Sequence, residues 1–345
     1  MSNDRLYFFD NLKFILISLV VIGHFLQFYL NNDYITGSYL FIYSFHMPLF
    51  VFVTGFFAKS IIKADSNKRL NKIISFFLIY LLYKAIIFLI INYMYHENYN
   101  FLVFTEAEAP WYLCGCTMWI IITNVFKNVK PLYLFIFSFI CFLFIGYDVN
   151  IGDQFSLSRV IVFYPFYLLG YYMTIDNAKK LIKFLHSKKF LHILAVTLLI
   201  VIYFLFINYA NELYFLRPIF TARNPFSYVE FPTDLLITGA AFRLFWFIYV
   251  ILIALAFFII VPDQKTSYSE FGSRTLQVYV LHLPIVLIIM HEPVLSFLVN
   301  LFGNHVYFAL VIMGFITCAI LSLKCFEKPF IKLMKYDFSK LYIDK

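Results

Sequence analysis

The chain has 345 residues and a formal net charge of +8, with 63% of its residues hydrophobic and only 13% charged. A soluble domain runs roughly a quarter charged, so this composition excludes water as the main solvent. The repeated apolar runs have no polar linker between them, which predicts one integral-membrane domain over residues 1–345.

A helix needs about 20 mainly apolar residues to cross a bilayer. In chain order, such runs lie near 11–30, 39–58, 73–93, 110–126, 131–147, 158–174, 190–208, 240–261, 275–291 and 305–323, which predicts ten spans. The first follows Asp4 and Asp10 and leads straight into more apolar sequence without a small-residue cleavage site, so it reads as a retained helix rather than a signal peptide. Lys and Arg collect on the cytoplasmic side of membrane proteins. With the N-terminus inside and ten spans, 21 of the 27 basic residues fall on the inner side, including five lysines between 179 and 189. The opposite loops carry Asp33, Glu97, Glu106, Glu108, Asp148 and Asp153. The expected fold class is therefore all-α: a polytopic membrane protein with about ten transmembrane helices and both termini cytoplasmic. The positive charge follows from that topology, and nothing points to a nucleic-acid partner.

An ionisable side chain within a span costs several kcal/mol and needs a partner or a function. The first span, DNLKFILISLVVIGHFLQFYL, contains Asp10, Lys13, His24 and Gln27. Lys13 and His24 are eleven residues apart, which returns them to within about 20° of one helix face and separates them by roughly 16 Å along the axis. The second span runs the other way and holds His46 in SFHMPLFVFVTGFF. Both histidines should lie about 10 Å below the outer surface. Two imidazoles at one depth suit an acid/base centre, since His titrates near neutrality; the plainer reading is a pair of packing histidines. Asp10 stands three residues before Lys13 on the same face and is placed to orient it.

Further along, Lys84 sits mid-span with no partner legible in the sequence. Trp111 and Tyr112, in APWYL, read as interface aromatics. Arg159 opens the span SRVIVFYPFYLLGYYM, where it either snorkels or binds an anion. The outward segment 209–239 mixes Arg217, Arg223, Glu230 and Asp234 with Tyr214, Phe220, Phe226, Tyr228 and Phe231, which suits either stacking on sugars or an ordinary aromatic belt. His282, in TLQVYVLHLP, faces the bundle in either a packing or a functional role. The five cysteines include no CxxC pair, so no metal site is expected.

Taken together, FFDNLKFILISLVVIGHF, FHMPLFVFVTGFF, APWYL, SRVIVFYPFYLLGYY and SRTLQVYVLH, in that order, resemble the acyltransferase-3 family of bacterial membrane proteins, with the nearest likeness to its fucose 4-O-acetylase-like branch. The resemblance implies an O-acetyltransferase in the bacterial plasma membrane. It would take acetyl or another short acyl group from cytoplasmic acyl-CoA and place it on a hydroxyl of a cell-surface or lipid-linked saccharide. The family's first helix carries Arg, ten residues, then His. Here His24 takes the His position and Lys13 stands at the Arg position, keeping the charge without the planar fork that grips phosphate. On this reading His24 is the base or acyl carrier, His46 a second proton carrier or the residue that orients His24, and Lys13 the contact to acetyl-CoA. Arg159, Trp111, Tyr112 and Arg223 would face the acceptor. The partners are acyl-CoA, the saccharide and membrane lipid, and a homo-oligomer is left open. The competing class is a transporter or flippase for a lipid-linked saccharide or small solute, whose His and Lys would form a proton relay.

Overall fold

A computed structural model describes residues 6–97, 100–106, 108–229 and 235–341. Glu230, Phe231 and Asp234, singled out in the outward segment, lie outside these residues. The described chain is helical without a β-strand, apart from one isolated bridge between Thr105 and Gln154. In order, the helices are α1 (Tyr7–Leu26), α2 (Asp33–Lys63), α3 (Ser66–Met94), α4 (Trp111–Val125), α5 (Pro131–Phe144), α6 (Leu157–Tyr172), α7 (Ile175–His186), α8 (Lys189–Asn208), α9 (Leu235–Ile260), α10 (Thr275–Ile289), α11 (Val294–Phe302), α12 (Val306–Leu321) and α13 (Glu327–Met334). Short turns link them, among them Arg217–Thr221 after α8 and Ser269–Gly272 before α10.

Each of the ten apolar runs coincides with a helix. Six stretches of the described chain are long and apolar enough to cross a membrane: α1, α2, α3, α8, most of α9, and 294–321 across α11 and α12. The helices around α4, α5 and α10 are apolar but shorter. Two helices differ from expectation. α2 runs eleven residues longer than the apolar run that predicted it, because Asn32 caps its start by accepting from the Ile35 N–H at 2.9 Å and because its basic end, Lys59 to Lys63, continues the helix. The lysine-rich stretch before residue 189 is helical as well: Ala178, Ile182 and Leu185 form a buried stripe in α7, and the lysines occupy its other face.

Lipid, unlike water, gives no driving force for bringing two apolar helices together, so close packing and internal hydrogen bonds must do it. α1 lies at the centre, with 14 of its 20 residues buried. Its N-terminal end is tied down by Asn11, whose amide donates to the carbonyls of Pro262 and Gln264 at 2.9 Å each and accepts from Thr266 and Ser269. Gly272 brings the following turn against the backbone of Asp10, and Gly314 brings α12 to the backbone of Ile22. α2 and α6 meet through a reciprocal pair: Gly55 faces the carbonyl of Tyr167, and Gly170 faces the carbonyl of Phe52. On the outside, Phe137, Phe190, Ile193, Phe245, Phe297 and Phe308 are each at least 60% exposed, an apolar girdle much larger than a soluble monomer presents to water.

The α2–α6 contact predicts the response to added side chains. Gly55→Leu or Gly170→Leu drives a side chain into the facing backbone and should leave little monodisperse protein in detergent. Gly152→Ala, at an open loop position, should run on size exclusion like the parent. Equal behaviour of the three variants would exclude the close approach.

Candidate functional site

A cavity of about 310 Å³ opens between the C-terminal half of α1 and the N-terminal half of α2. His24 and Gln27 of α1 line it together with Tyr39, Tyr43 and His46 of α2. The start of α4 adds Trp111, α6 adds Arg159 and the 217–224 segment adds Arg217 and Arg223. The structure thus brings His24, His46, Trp111, Arg159 and Arg223 to one cavity. It places Tyr112 in a neighbouring space of about 220 Å³, hydrogen-bonded to Thr54, so that residue does not face the histidines.

The histidines are held differently. His46 Nδ1 lies 2.7 Å from the Ile42 carbonyl, which can only accept, so Nδ1 carries the proton and Nε2 is the basic nitrogen. The Tyr43 ring packs between the two cavity histidines, 4.9 Å from His46 and 6.2 Å from His24 between ring centres, and its hydroxyl donates to Gln27 at 2.7 Å. Gly23 makes room for that ring, since a Cβ there would sit 3.0 Å from Tyr43. A third imidazole, fully buried His282 of α10, lies 5.0 Å from His24 between ring centres. Sequence reasoning did not assign it a role: a lone His in an apolar helix gives no sign of what it faces.

At the rim of the cavity, Arg159 stacks over Trp111 with its guanidinium 5.2 Å from the ring, and Trp111 stacks on Phe163. Arg223 grips Asp153 with two nitrogens, at 2.9 and 2.7 Å, and Arg217 donates to the Tyr39 hydroxyl at 2.9 Å. Of the outward segment's aromatics, Phe220 lines the cavity, whereas Phe226 packs away from it against Gly146, Gly239 and Arg243. Tyr228 is exposed, and Tyr214 is partly so. Ala222, next to Arg223, holds a left-handed backbone with φ 53°, and Ser158 of α6 donates to its carbonyl at 2.7 Å.

Lys84, which had no legible partner, pairs with Glu106 at 2.8 Å, each side chain being 2% exposed. Lys84 also donates to the Thr105 carbonyl, and Glu106 accepts from the Glu108 N–H at 2.8 Å. Burial pushes the Glu106 carboxyl above its ordinary range, and the Lys84 ammonium opposes that rise. The pair therefore pins the loop that carries Glu108 and Ala109 into the cavity wall; Ala109 in turn accepts from the Tyr279 hydroxyl.

At the other end of α1, Lys13 forms its i,i+3 ion pair with Asp10 at 2.8 Å and lies 4.9 Å over the Phe57 ring. Asp10 and Phe57 line a second, larger space of about 840 Å³ with Lys59, Ser60 and Lys63. Asp10 and Lys13 are thus not part of the histidine cluster; helix geometry keeps Lys13 roughly 16 Å from His24. No group of three or more potential metal-ligating side chains occurs among the described residues.

Comparison with known proteins gives two matches. A family model described as an acyltransferase domain matches residues 6–324. The nodulation protein NolL of Sinorhizobium fredii (strain NBRC 101917 / NGR234) is 43% identical over 72 residues, a segment that covers 20% of this chain and 20% of that protein. No solved structure matches.

The buried pair predicts a non-additive result. Lys84→Met strands a buried carboxylate and should destabilise the protein by about 3–5 kcal/mol. Adding Glu106→Gln to it should restore most of that loss in a thermal-unfolding cycle. Additive losses would mean that the two groups do not depend on each other.

Proposed function

Because this chain belongs to the acyltransferase-3 family, we propose that it moves an acetyl or other short acyl group from cytoplasmic acyl-CoA to a hydroxyl of a cell-surface or lipid-linked saccharide. On this reading the ten apolar helices all cross a bacterial plasma membrane, and both termini are cytoplasmic. The distribution of basic residues supports that topology, with 21 of 27 on the inner side.

One observation supports the proposal: His24 lines one cavity and the Lys13–Asp10 pair lies beside a second one near the opposite end of α1. The donor's phosphates meet Lys13, held by Asp10, together with Lys59 and Lys63. Its pantetheine arm lies along α1 and presents the thioester near His24. The acceptor enters from the outer rim, where Trp111 offers a stacking face and Arg159 and Arg223 offer hydrogen-bond donors. His24 takes the proton of the attacking hydroxyl as the oxygen bonds to the thioester carbon. The carbon–sulfur bond then breaks, and the same proton passes to the departing sulfur, leaving an ester and free coenzyme A. His46, with its basic Nε2, is placed to carry a proton to or from this centre.

Removal of a general base costs roughly 100-fold to 10,000-fold in rate. His24→Ala, checked for an unchanged elution profile, should therefore abolish transfer of label from [14C]acetyl-CoA into the glycan fraction of membrane vesicles. Mass spectrometry of surface glycans should show the same loss of acetyl. Undiminished labelling sinks the mechanism, and acetyl-CoA left untouched by the parent protein would favour a transporter. The topology has its own check: exposed Cys325 should react with an impermeant maleimide in inside-out vesicles but not in intact cells.

A further inference from the structure

We infer that His282 is a positioning residue for His24: its Nε2 accepts the Nδ1–H of His24 and so turns the other nitrogen of His24, as a base, toward the cavity. The inference rests on the reading above, in which His24 acts on the acceptor hydroxyl.

Proton placement on His282 follows from its neighbours. Nδ1 lies 2.8 Å from the Tyr279 carbonyl and 3.1 Å from that of Val278. Carbonyl oxygens only accept, so Nδ1 must carry the hydrogen, and in a neutral ring Nε2 then holds the lone pair. That Nε2 is buried and has no hydrogen-bond partner. His24 Nδ1 is also buried and has none. A buried polar atom left unmet costs about 1–3 kcal/mol, and two of them on adjacent rings are better explained as one contact made when the site is engaged. The rings lie 5.0 Å apart between centres and are tilted by 49°, close enough for rotation about their side-chain bonds to bring His24 Nδ1 within hydrogen-bond reach of His282 Nε2.

The two nitrogens of His24 differ in their surroundings. Nδ1 is sealed in the protein, whereas the ring as a whole is partly open and lines the cavity. His282, in contrast, is 0% exposed and lines no part of it. It therefore cannot touch an acceptor sugar and acts through His24. Donation from His24 Nδ1 to His282 fixes one tautomer of His24, the one whose Nε2 lone pair faces the cavity. Without that acceptor, nothing at Nδ1 holds the proton of neutral His24, and part of the protein presents N–H where a base is needed. The run of bonds ends at the α10 backbone, so a rigid helix sets the direction of the base.

Two variants separate the nitrogens of His282. His282→Asn keeps a donor near Nδ1 for the Val278 and Tyr279 carbonyls but removes the acceptor. His282→Gln places an amide oxygen near the old Nε2. The assay is transfer of label from [14C]acetyl-CoA into the glycan fraction of inside-out vesicles carrying the full-length protein, with thermal midpoints as the fold control. His282→Asn should lower kcat about 100-fold at an unchanged KM for acetyl-CoA, while His282→Gln recovers at least a tenth of the parent rate. The double variant His24→Ala/His282→Asn should be no slower than His24→Ala alone. Parent-like kcat for His282→Asn would overturn the assignment, as would equal losses in the Asn and Gln variants. If His24→Ala itself stays active, the reading of His24 has failed, whatever His282 does.

Discussion

Helix α2 can lie against α6 only because neither carries a side chain where they touch. Gly55 and Gly170 each face a carbonyl of the other helix, and that contact fixes the height and rotation of α2 along its whole length. One end of the helix then presents Tyr39, Tyr43 and His46 to the histidine cavity, and the other presents Lys59 and Lys63 to the second one. In hydrocarbon, where apolar burial contributes little between helices, such close approaches take over the role that a hydrophobic core has in water. The same device recurs at Gly272 and Gly314, which seat α1. The histidine cluster is thus placed by backbone contacts outside it, the nearest being that of Gly314 with Ile22, two residues before His24.

Much of this fold was legible in the sequence because solvent imposes it. A span must be apolar for about 20 residues, so every apolar run coincides with a helix. What went unseen was whatever does not face lipid. The stretch behind α7 reads as a charged loop until Ala178, Ile182 and Leu185 are recognised as one stripe, and α11 is too short to register as a span. The candidate site divides in the same way. His24 and His46 stood out because two helices joined by a short turn share a depth. His282 did not, because its separation from His24 in the chain holds no information about their separation in space.

The polar groups within the bundle sort by how completely they are met. Asn11 has four partners and serves as a structural tie. Lys84 and Glu106 meet each other and the loop backbone. His24 and His282 each retain a buried nitrogen without a partner, and their rings lie 5.0 Å apart between centres. Unmet polar atoms are costly in a low-dielectric interior, so their position marks where the fold departs from best packing.

The Lys84–Glu106 tie also bears on how the chain is made. Lys84 belongs to the middle of α3, whereas its partner lies 22 residues further along and is synthesised later. An ammonium in the middle of a span without its carboxylate costs roughly 2.5–3.5 kcal/mol on translocon scales. α3 can bear this because the rest of the helix is strongly apolar, with a mean hydropathy of 2.5 over its best window. The apolar residues of α3 thus offset the cost of carrying a lysine, and the loop that follows supplies its partner.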